Sequence, residues 1–254
     1  MPNVEQVEYW DGSGGEHWVA QQARYDQINS GFGDRVVDML SPRPGERVLD
    51  VGCGNGALSL AIGPLVAPDG SVVGLDISGP MLAMATARAR VADLENVHFE
   101  QGDAQVHRLP DAGFDAIVSR FGVMFFDDPD AAFANLARSM RSGGRVVFAC
   151  WQELPANEWL MVPIGAALAH VPMPDLGEPG GPGPFSLADR DRMRSILEGA
   201  GFADVGVDDF RCPMPMGATV DDTVTFIQGT DMAATVMADV SDDDAAAAWD
   251  AVRA

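Results

Sequence analysis

The chain of 254 residues has 38 acidic and 16 basic residues, a formal net charge of −22, and 47% hydrophobic residues. This length suits one large α/β domain with insertions. The acidity argues against nucleic acid as a substrate, because a phosphate backbone would be repelled. No apolar run is long enough to cross a bilayer, so we expect no membrane span.

The N-terminal segment is acidic and lacks a basic stretch followed by an apolar one. We therefore expect no secretory signal and a cytoplasmic location. The three cysteines, Cys53, Cys150 and Cys212, lie far apart and form no CxxC pair. This spacing favours reduced thiols over disulfides and predicts no metal site.

The first part of the chain alternates between helical and strand patterns. Residues 16–40 have helical periodicity, with a break expected at Gly31–Gly33. Five strands alternating with helices then follow, in the segments "RVLDV", "SVVGL", "VHFEQGDA", "FDAIVSRFG" and "GGRVVFACW". This alternation predicts an α/β fold, a doubly wound and mostly parallel sheet with N-terminal helices.

After Trp151 the pattern changes. A helical segment and a long Pro/Gly-rich loop predict an inserted helical lid, and "ADVGVDDFRCPM" predicts a sixth strand after one more helix. We expect a single domain with five parts: an N-terminal helical cap (1–40), a ligand-binding core (41–152), a lid insertion (153–188), the end of the core (189–216) and a helical extension (217–254).

The stretch "VLDVGCGNG" places glycines directly after a strand, where the backbone can turn sharply and approach a ligand closely. Gly52-x-Gly54-x-x-Ala57 satisfies the dinucleotide fingerprint. Gly52, Gly54 and Gly56 equally satisfy the GxGxG loop of S-adenosylmethionine sites. The loop alone leaves both ligands open.

Aspartates at three consecutive strand ends separate these two ligands. Asp50 would attract the cationic amino group of a methionine moiety and repel a pyrophosphate. Asp76 could accept hydrogen bonds from ribose hydroxyls, and Asp103 could accept one from an adenine amino group. Each could instead be a simple turn or cap residue. Together they favour a nucleoside ligand at the carboxyl edge of the sheet.

The segments "VLDVGCGNG", "VVGLDIS", "QGDA", "FDAIVSRFGVMFF" and "MRSGGRVVFACW" resemble, in order and spacing, the motifs of class I S-adenosylmethionine-dependent methyltransferases. They are similar to the ubiquinone and menaquinone biosynthesis methyltransferases and their small-molecule relatives. The resemblance covers residues 20–210 and implies a Rossmann-like fold with S-adenosylmethionine as cofactor. By position it implies these cofactor-binding residues: Asp50, Gly52, Cys53, Gly54, Asp76, Ile77, Met81, Asp103, Ala104, Ser119, Arg120, Tyr25 and Trp18.

Methyl transfer from a sulfonium needs a base only when the acceptor must lose a proton. His170, His17, Tyr25 and Glu153 are candidates, although no motif assigns the role. The "DDPD" run could suggest a metal, but Asp128 before Pro129 is more simply explained as a helix N-cap.

The alternatives are an NAD-dependent oxidoreductase and a non-catalytic S-adenosylmethionine-binding module. The oxidoreductase lacks support, because the chain has no lysine for a Tyr-x-x-x-Lys pair. We expect O-, N- or C-methylation of a small, largely apolar acceptor, such as a secondary metabolite or a quinone-like compound. This follows from the apolar lid residues Trp151, Trp159, Leu160, Met161, Ile164, Leu168, Met173 and Phe185.

The resemblance has one departure. The family usually ends with an antiparallel seventh strand, and none is evident after residue 217. "TVDDTVTFIQG" and "SDDDAAAAWDAVRA" instead predict helices that dock beside the lid. The sheet edge at the sixth strand would then be open, so we expect either a homodimer contact there or a natural chain that continues.

Overall fold

The computed structural model of the chain describes residues 3–172 and 181–254. Within them one sheet is formed by β1 (Arg47–Val51), β2 (Ser71–Asp76), β3 (Val97–Gln101), β4 (Phe114–Arg120) and β5 (Met140–Ala149). The helices are α1 (Val4–Trp10), α2 (Ser13–Ala20), α3 (Gln22–Ile28), α4 (Ser30–Leu40), α5 (Ala57–Val66), α6 (Gly79–Val91), α7 (Pro129–Ser139), α8 (Glu158–Ala167), α9 (Arg190–Gly199), α10 (Val220–Gln228), α11 (Asp231–Met237) and α12 (Asp242–Arg253).

The strand order is β3-β2-β1-β4-β5, and every pair is parallel. The chain moves outward from β1 to β3, then returns to the other side of β1 to form β4. The order therefore reverses between β1 and β4. Open parallel sheets bind ligands in the crevice at this position, beyond the carboxyl ends of the strands.

The central strands β1, β2 and β4 are buried on both faces of the sheet, as a doubly wound fold requires. Val48 and Leu49 are neighbours on β1 that point to opposite faces, and both are fully buried. One apolar cluster contains residues of α4 and α5, and the other contains residues of α7 and α9. The α/β prediction is confirmed.

Local signals place several helix starts where the sequence predicts them. Pro80 lies in the first turn of α6, where the Ser78 hydroxyl accepts a bond from the Met81 amide. Asp128 caps α7 by accepting the Ala131 N–H at 2.9 Å. The capping explanation of the "DDPD" run is therefore confirmed.

The break expected at Gly31–Gly33 is wrong, because both glycines lie inside α4. The N-terminal helices are instead separated at Gln21 and Asn29. The two glycines allow close packing: a Cβ on Gly31 would lie 2.9 Å from the Cys212 sulfur, and one on Gly33 would lie 3.1 Å from an Arg120 nitrogen.

The predicted sixth strand is also wrong. Residues 203–214 join no sheet, although Val205 and Val207 pack against the core in the alternating manner that suggested a strand. Asp204 adopts a left-handed backbone with φ 56°, and Gly206, Asp208 and Asp209 are residue types that strands disfavour.

The C-terminal segment is helical, as the sequence predicts. Thr219 and Ser241 cap α10 and α12 by accepting the N–H of the third residue beyond them. Fully buried Ala248 of α12 clusters with Ala167 and Val171 at the end of α8, so the extension docks on the predicted lid. No described residue after Ala149 is in a strand.

Candidate functional site

The loop after β1 is closely packed at the point where the strand order reverses. Gly52 has φ 65°, and a Cβ on it would lie 2.6 Å from the Cα of Gly122 in the loop after β4. Only glycine tolerates both the conformation and the contact. Both glycines also line a cavity at this edge of the sheet.

Asp76, at the end of β2, organises the glycine loop. Its Oδ2 accepts the Gly54 N–H at 2.7 Å, and its Oδ1 accepts the Ser78 N–H at 2.9 Å. Burial raises the pKa of Asp76, and these backbone bonds oppose the rise. The carboxylate thereby ties the loop after β1 to the start of α6.

Asp103, after β3, has an unsatisfied acceptor. Its Oδ1 accepts the Gln105 N–H at 3.0 Å, whereas its Oδ2 is buried without a hydrogen-bond partner. Burial raises its pKa. A buried oxygen of this kind is stabilised when a ligand supplies a donor.

Asp50 lies behind the glycine loop. It is fully buried; its Oδ2 accepts the Ser59 hydroxyl at 2.6 Å, and its Oδ1 has no partner. Burial raises its pKa to about 6, and the Ser59 bond and the charge of Arg120 oppose the rise. Burial lowers the pKa of Arg120, and the carboxylates of Asp26 and Asp50 oppose this shift.

A cavity of about 570 Å³ lies above the loops at the carboxyl edge, a volume typical of small-molecule sites. It brings together most of the predicted site residues: Trp18, Tyr25, Gly52, Gly54, Asp76, Ile77, Met81, Asp103, Ala104 and Arg120, with the candidate base His17.

Other predicted residues lie outside this cavity. Asp50 and Cys53 border a separate cavity of about 20 Å³ beside Arg120. Ser119 is a structural tie, since its hydroxyl donates to the Val51 carbonyl at 2.7 Å and accepts the Gly122 N–H at 3.1 Å. His170 is exposed beyond the end of α8, and Glu153 is exposed before it.

The N-terminal helices supply an aromatic wall. Trp18 and Tyr25 stack with ring centroids 3.9 Å apart, and Trp10 contacts Trp18 edge-on. The Tyr25 hydroxyl lies 3.1 Å from Nε2 of His17. Burial raises the pKa of Tyr25 to about 12, so Tyr25 keeps its proton at neutral pH.

Helix α1 and the C-terminal helices supply further cavity residues that no local sequence signal indicates. Tyr9 donates its hydroxyl to Asp231, and Phe226 packs edge-on against Tyr25 at 5.5 Å. Arg24 pairs with Asp222 at 2.6 Å just outside. The Tyr9–Asp231, Tyr25–Phe226 and Arg24–Asp222 contacts, here called the clamp, join the two ends of the chain across the cavity.

The remaining wall is apolar. The predicted lid residues Trp151, Trp159, Leu160 and Ile164 line it, whereas Met161, Leu168 and Phe185 do not, and Met173 lies outside the described residues. The wall also contains methionines from several segments, which adapt to varied ligand shapes: Met124, Met214, Met216, Met232 and Met237.

Known proteins resemble this chain over its cofactor-binding core. Residues 48–144 match the model of a methyltransferase domain. This match and the relatives below support the resemblance to class I S-adenosylmethionine-dependent methyltransferases. It is 35% identical over 131 residues to nocamycin O-methyltransferase of Saccharothrix syringae, a match covering 51% of this chain and 47% of that protein. It is 38% identical over 132 residues to demethylmenaquinone methyltransferase of Thermus thermophilus, covering 49% and 59%.

The chain thus spans about half the length of the curated relatives it matches. Among solved structures, YcgJ from Bacillus subtilis superimposes with a TM-score of 0.58 at 22% identity, covering 84% of this chain and 85% of YcgJ. At that identity the likeness concerns the fold, which is Rossmann-like as predicted.

The cofactor of the family, S-adenosylmethionine, fits the residues present. The glycine loop leaves room for a ligand against the backbone, and the unpartnered Asp103 Oδ2 suits the amino group of an adenine. In the described residues, no group of three His, Cys, Asp or Glu side chains could hold a metal, and no helix is long and apolar enough to span a membrane.

Proposed function

We propose that the chain transfers a methyl group from S-adenosylmethionine to a small, largely apolar acceptor, at oxygen or carbon. The observation that carries this proposal is the continuous cavity, which extends from the glycine loop and Asp103 to the apolar wall of α8. The relatives named above are methyltransferases of nocamycin and of demethylmenaquinone. N-methylation stays a prediction from the sequence, and these two relatives do not test it.

When bound, the cofactor supplies a methyl group on a positively charged sulfur. The chain contributes positioning and exclusion of water, which are the main sources of rate for an in-line displacement. Gly52 and Gly54 let the ligand approach the backbone, and Asp76 and Asp103 orient the nucleoside. The clamp covers the cavity from the side of the two chain ends.

An acceptor that must lose a proton needs a base. We assign this role to His17 acting through Tyr25. As Tyr25 accepts the proton of the acceptor, its own proton passes to Nε2 of His17 across the existing 3.1 Å contact. Tyr25 remains neutral before and after the step, as its raised pKa requires.

The test combines binding and turnover. Calorimetry should detect S-adenosylhomocysteine binding and no comparable binding of NADH. A panel of naphthoquinones, phenols and amines is then assayed for S-adenosylhomocysteine formation. Turnover confined to proteins or nucleic acids, or tight NADH binding without binding of the thioether, contradicts the proposal.

Two finer expectations belong here as predictions. We expect a cytoplasmic protein. The sequence predicts a homodimer contact at the edge of the sheet. In the described sheet this edge is β5. Sedimentation of the purified chain tests whether dimers form.

A further inference from the structure

Trp159 holds a hydrogen-bond donor that the protein does not use. It lies in the first turn of α8, and its side chain borders the cavity. Its indole Nε1 is buried and has no hydrogen-bond partner. Buried tryptophan nitrogens normally find an acceptor, because otherwise the bond to water is lost without replacement.

The rest of α8 offers this indole no side-chain acceptor in the cavity. The other residues that α8 contributes to the cavity are all apolar: Leu160, Pro163, Ile164 and Ala167. Trp151 lies beside Trp159 with ring centroids 5.2 Å apart, and Trp151 stacks on Phe121 at 4.2 Å with an interplanar angle of 11°. These rings offer flat apolar surface. A ligand in the cavity can supply the acceptor that these neighbouring side chains lack.

We propose that Trp159 is a specificity-determining residue that donates its indole N–H to a carbonyl or hydroxyl oxygen of the methyl acceptor. This inference rests on the proposed function. An indole nitrogen can only donate, so the matching ligand atom must carry a lone pair, and a protonated amine does not satisfy it. The acceptor class is therefore a neutral, apolar ring compound bearing such an oxygen.

Binding requires the indole to turn. Nε1 is buried, whereas the side chain as a whole borders the cavity. Side-chain rotamer changes of this kind are common when ligands bind to an otherwise fixed backbone. The neighbouring α12 packs on α8 and keeps the helix itself in place.

The test uses two ligands that differ in one oxygen. With S-adenosylhomocysteine at saturation, the dissociation constants of 2-acetylnaphthalene and 2-ethylnaphthalene are measured by calorimetry. Wild-type protein should bind the ketone about five- to tenfold more tightly, the usual effect of one hydrogen bond. Trp159 is then replaced by 3-benzothienylalanine, which keeps the ring shape and exchanges N–H for sulfur. Trp159→Phe is the second variant.

The benzothienyl protein should bind both naphthalenes equally, with an affinity close to that of wild type for 2-ethylnaphthalene. Its melting temperature without ligand should equal or exceed that of wild type, since an unpaired donor has been removed. The same replacement at Trp249, another tryptophan of the cavity wall, should leave the preference for the ketone intact.

Three results overturn the inference: a preference for the ketone that survives the replacement, equal loss of both ligands, or no binding of either naphthalene to wild type. The proposed function fails separately. Its failure appears as an absence of S-adenosylhomocysteine binding or of turnover with any acceptor, both measured on wild type alone.

Discussion

Gly52 and Gly122 face each other, backbone against backbone, where the loops after β1 and β4 meet. A Cβ on Gly52 would lie 2.6 Å from the Cα of Gly122, and one on Gly122 would lie 2.5 Å from the carbonyl oxygen of Val51. Each glycine therefore holds the other in place, and the loop over which a ligand lies depends on both.

Gly52→Ala should destabilise the protein by about 2 kcal/mol or more, because backbone strain and a steric clash add. Gly45→Ala is the matched control: Gly45 also has positive φ, 86°, but nothing lies within 4 Å of an added Cβ. It should cost about 1 kcal/mol and leave ligand affinity unchanged. Urea unfolding and calorimetry measure both. An equal loss of unfolding free energy in the two variants would show that the steric clash at Gly52 contributes nothing.

Asp76→Ala should weaken S-adenosylhomocysteine binding by about 1.5–3 kcal/mol, the usual value for hydrogen bonds to a charged group. It removes the predicted ribose contact and also the bonds that hold Gly54 and Ser78. Asp103→Ala should cost less, since it loses only the predicted adenine contact and the bond from Gln105. Calorimetry compares the two. Normal binding by Asp76→Ala would show that the ribose assignment is wrong.

Asp50 should make stability depend on pH. Burial raises its folded pKa to about 6, above the unfolded value of about 3.9. Between these values the folded protein holds a proton that the unfolded chain has lost, so stability falls as pH rises from about 4 to about 6. The accumulated loss is roughly 3 kcal/mol.

Asp50→Asn should abolish this part of the pH dependence, and urea unfolding from pH 4 to pH 7.5 measures the difference from wild type. Asp69→Asn, at an exposed carboxylate, serves as the control for loss of one negative charge. If the unfolding free energies of wild type and Asp50→Asn changed equally with pH, the prediction would be contradicted.

Weakening the clamp should speed ligand release. Tyr9→Phe removes the bond to Asp231, and Arg24→Gln removes the pair with Asp222. Each should raise the dissociation rate of S-adenosylhomocysteine about two- to tenfold, as expected for one hydrogen bond. The contribution of Arg24 should shrink at high salt, because the pair is partly exposed. Stopped-flow fluorescence measures the rates.

The control for the clamp is Arg138→Gln, which breaks an exposed ion pair with Asp111 formed by residues that do not line the cavity. Its release rate should match that of wild type. If Arg138→Gln and Arg24→Gln had the same effect, the clamp would have no special role.

The sequence was sufficient to predict the five strands of the sheet and the positions of the glycine loop and the strand-end aspartates, because their signals are local. Strands ending in glycine or aspartate and caps such as Asp128 are set by neighbouring residues. The contacts between the N-terminal and C-terminal helices depend on long-range packing. No local sequence signal indicates that Asp231 contacts Tyr9, or that the Ser119 hydroxyl bonds to the backbone. The sixth strand failed for a related reason: Val205 and Val207 alternate correctly but pack without pairing.

The Tyr9–Asp231 contact joins positions 222 residues apart. Contacts that close such long loops form late in folding, after the nearer pairings have restricted the chain. The glycine loop and the aspartates lie at the carboxyl edge of the sheet and should form first, whereas the contacts between the two chain ends should form last. A refolding chain should therefore regain its circular dichroism before it can retain S-adenosylhomocysteine. The ability to hold a ligand thus marks the final step of folding.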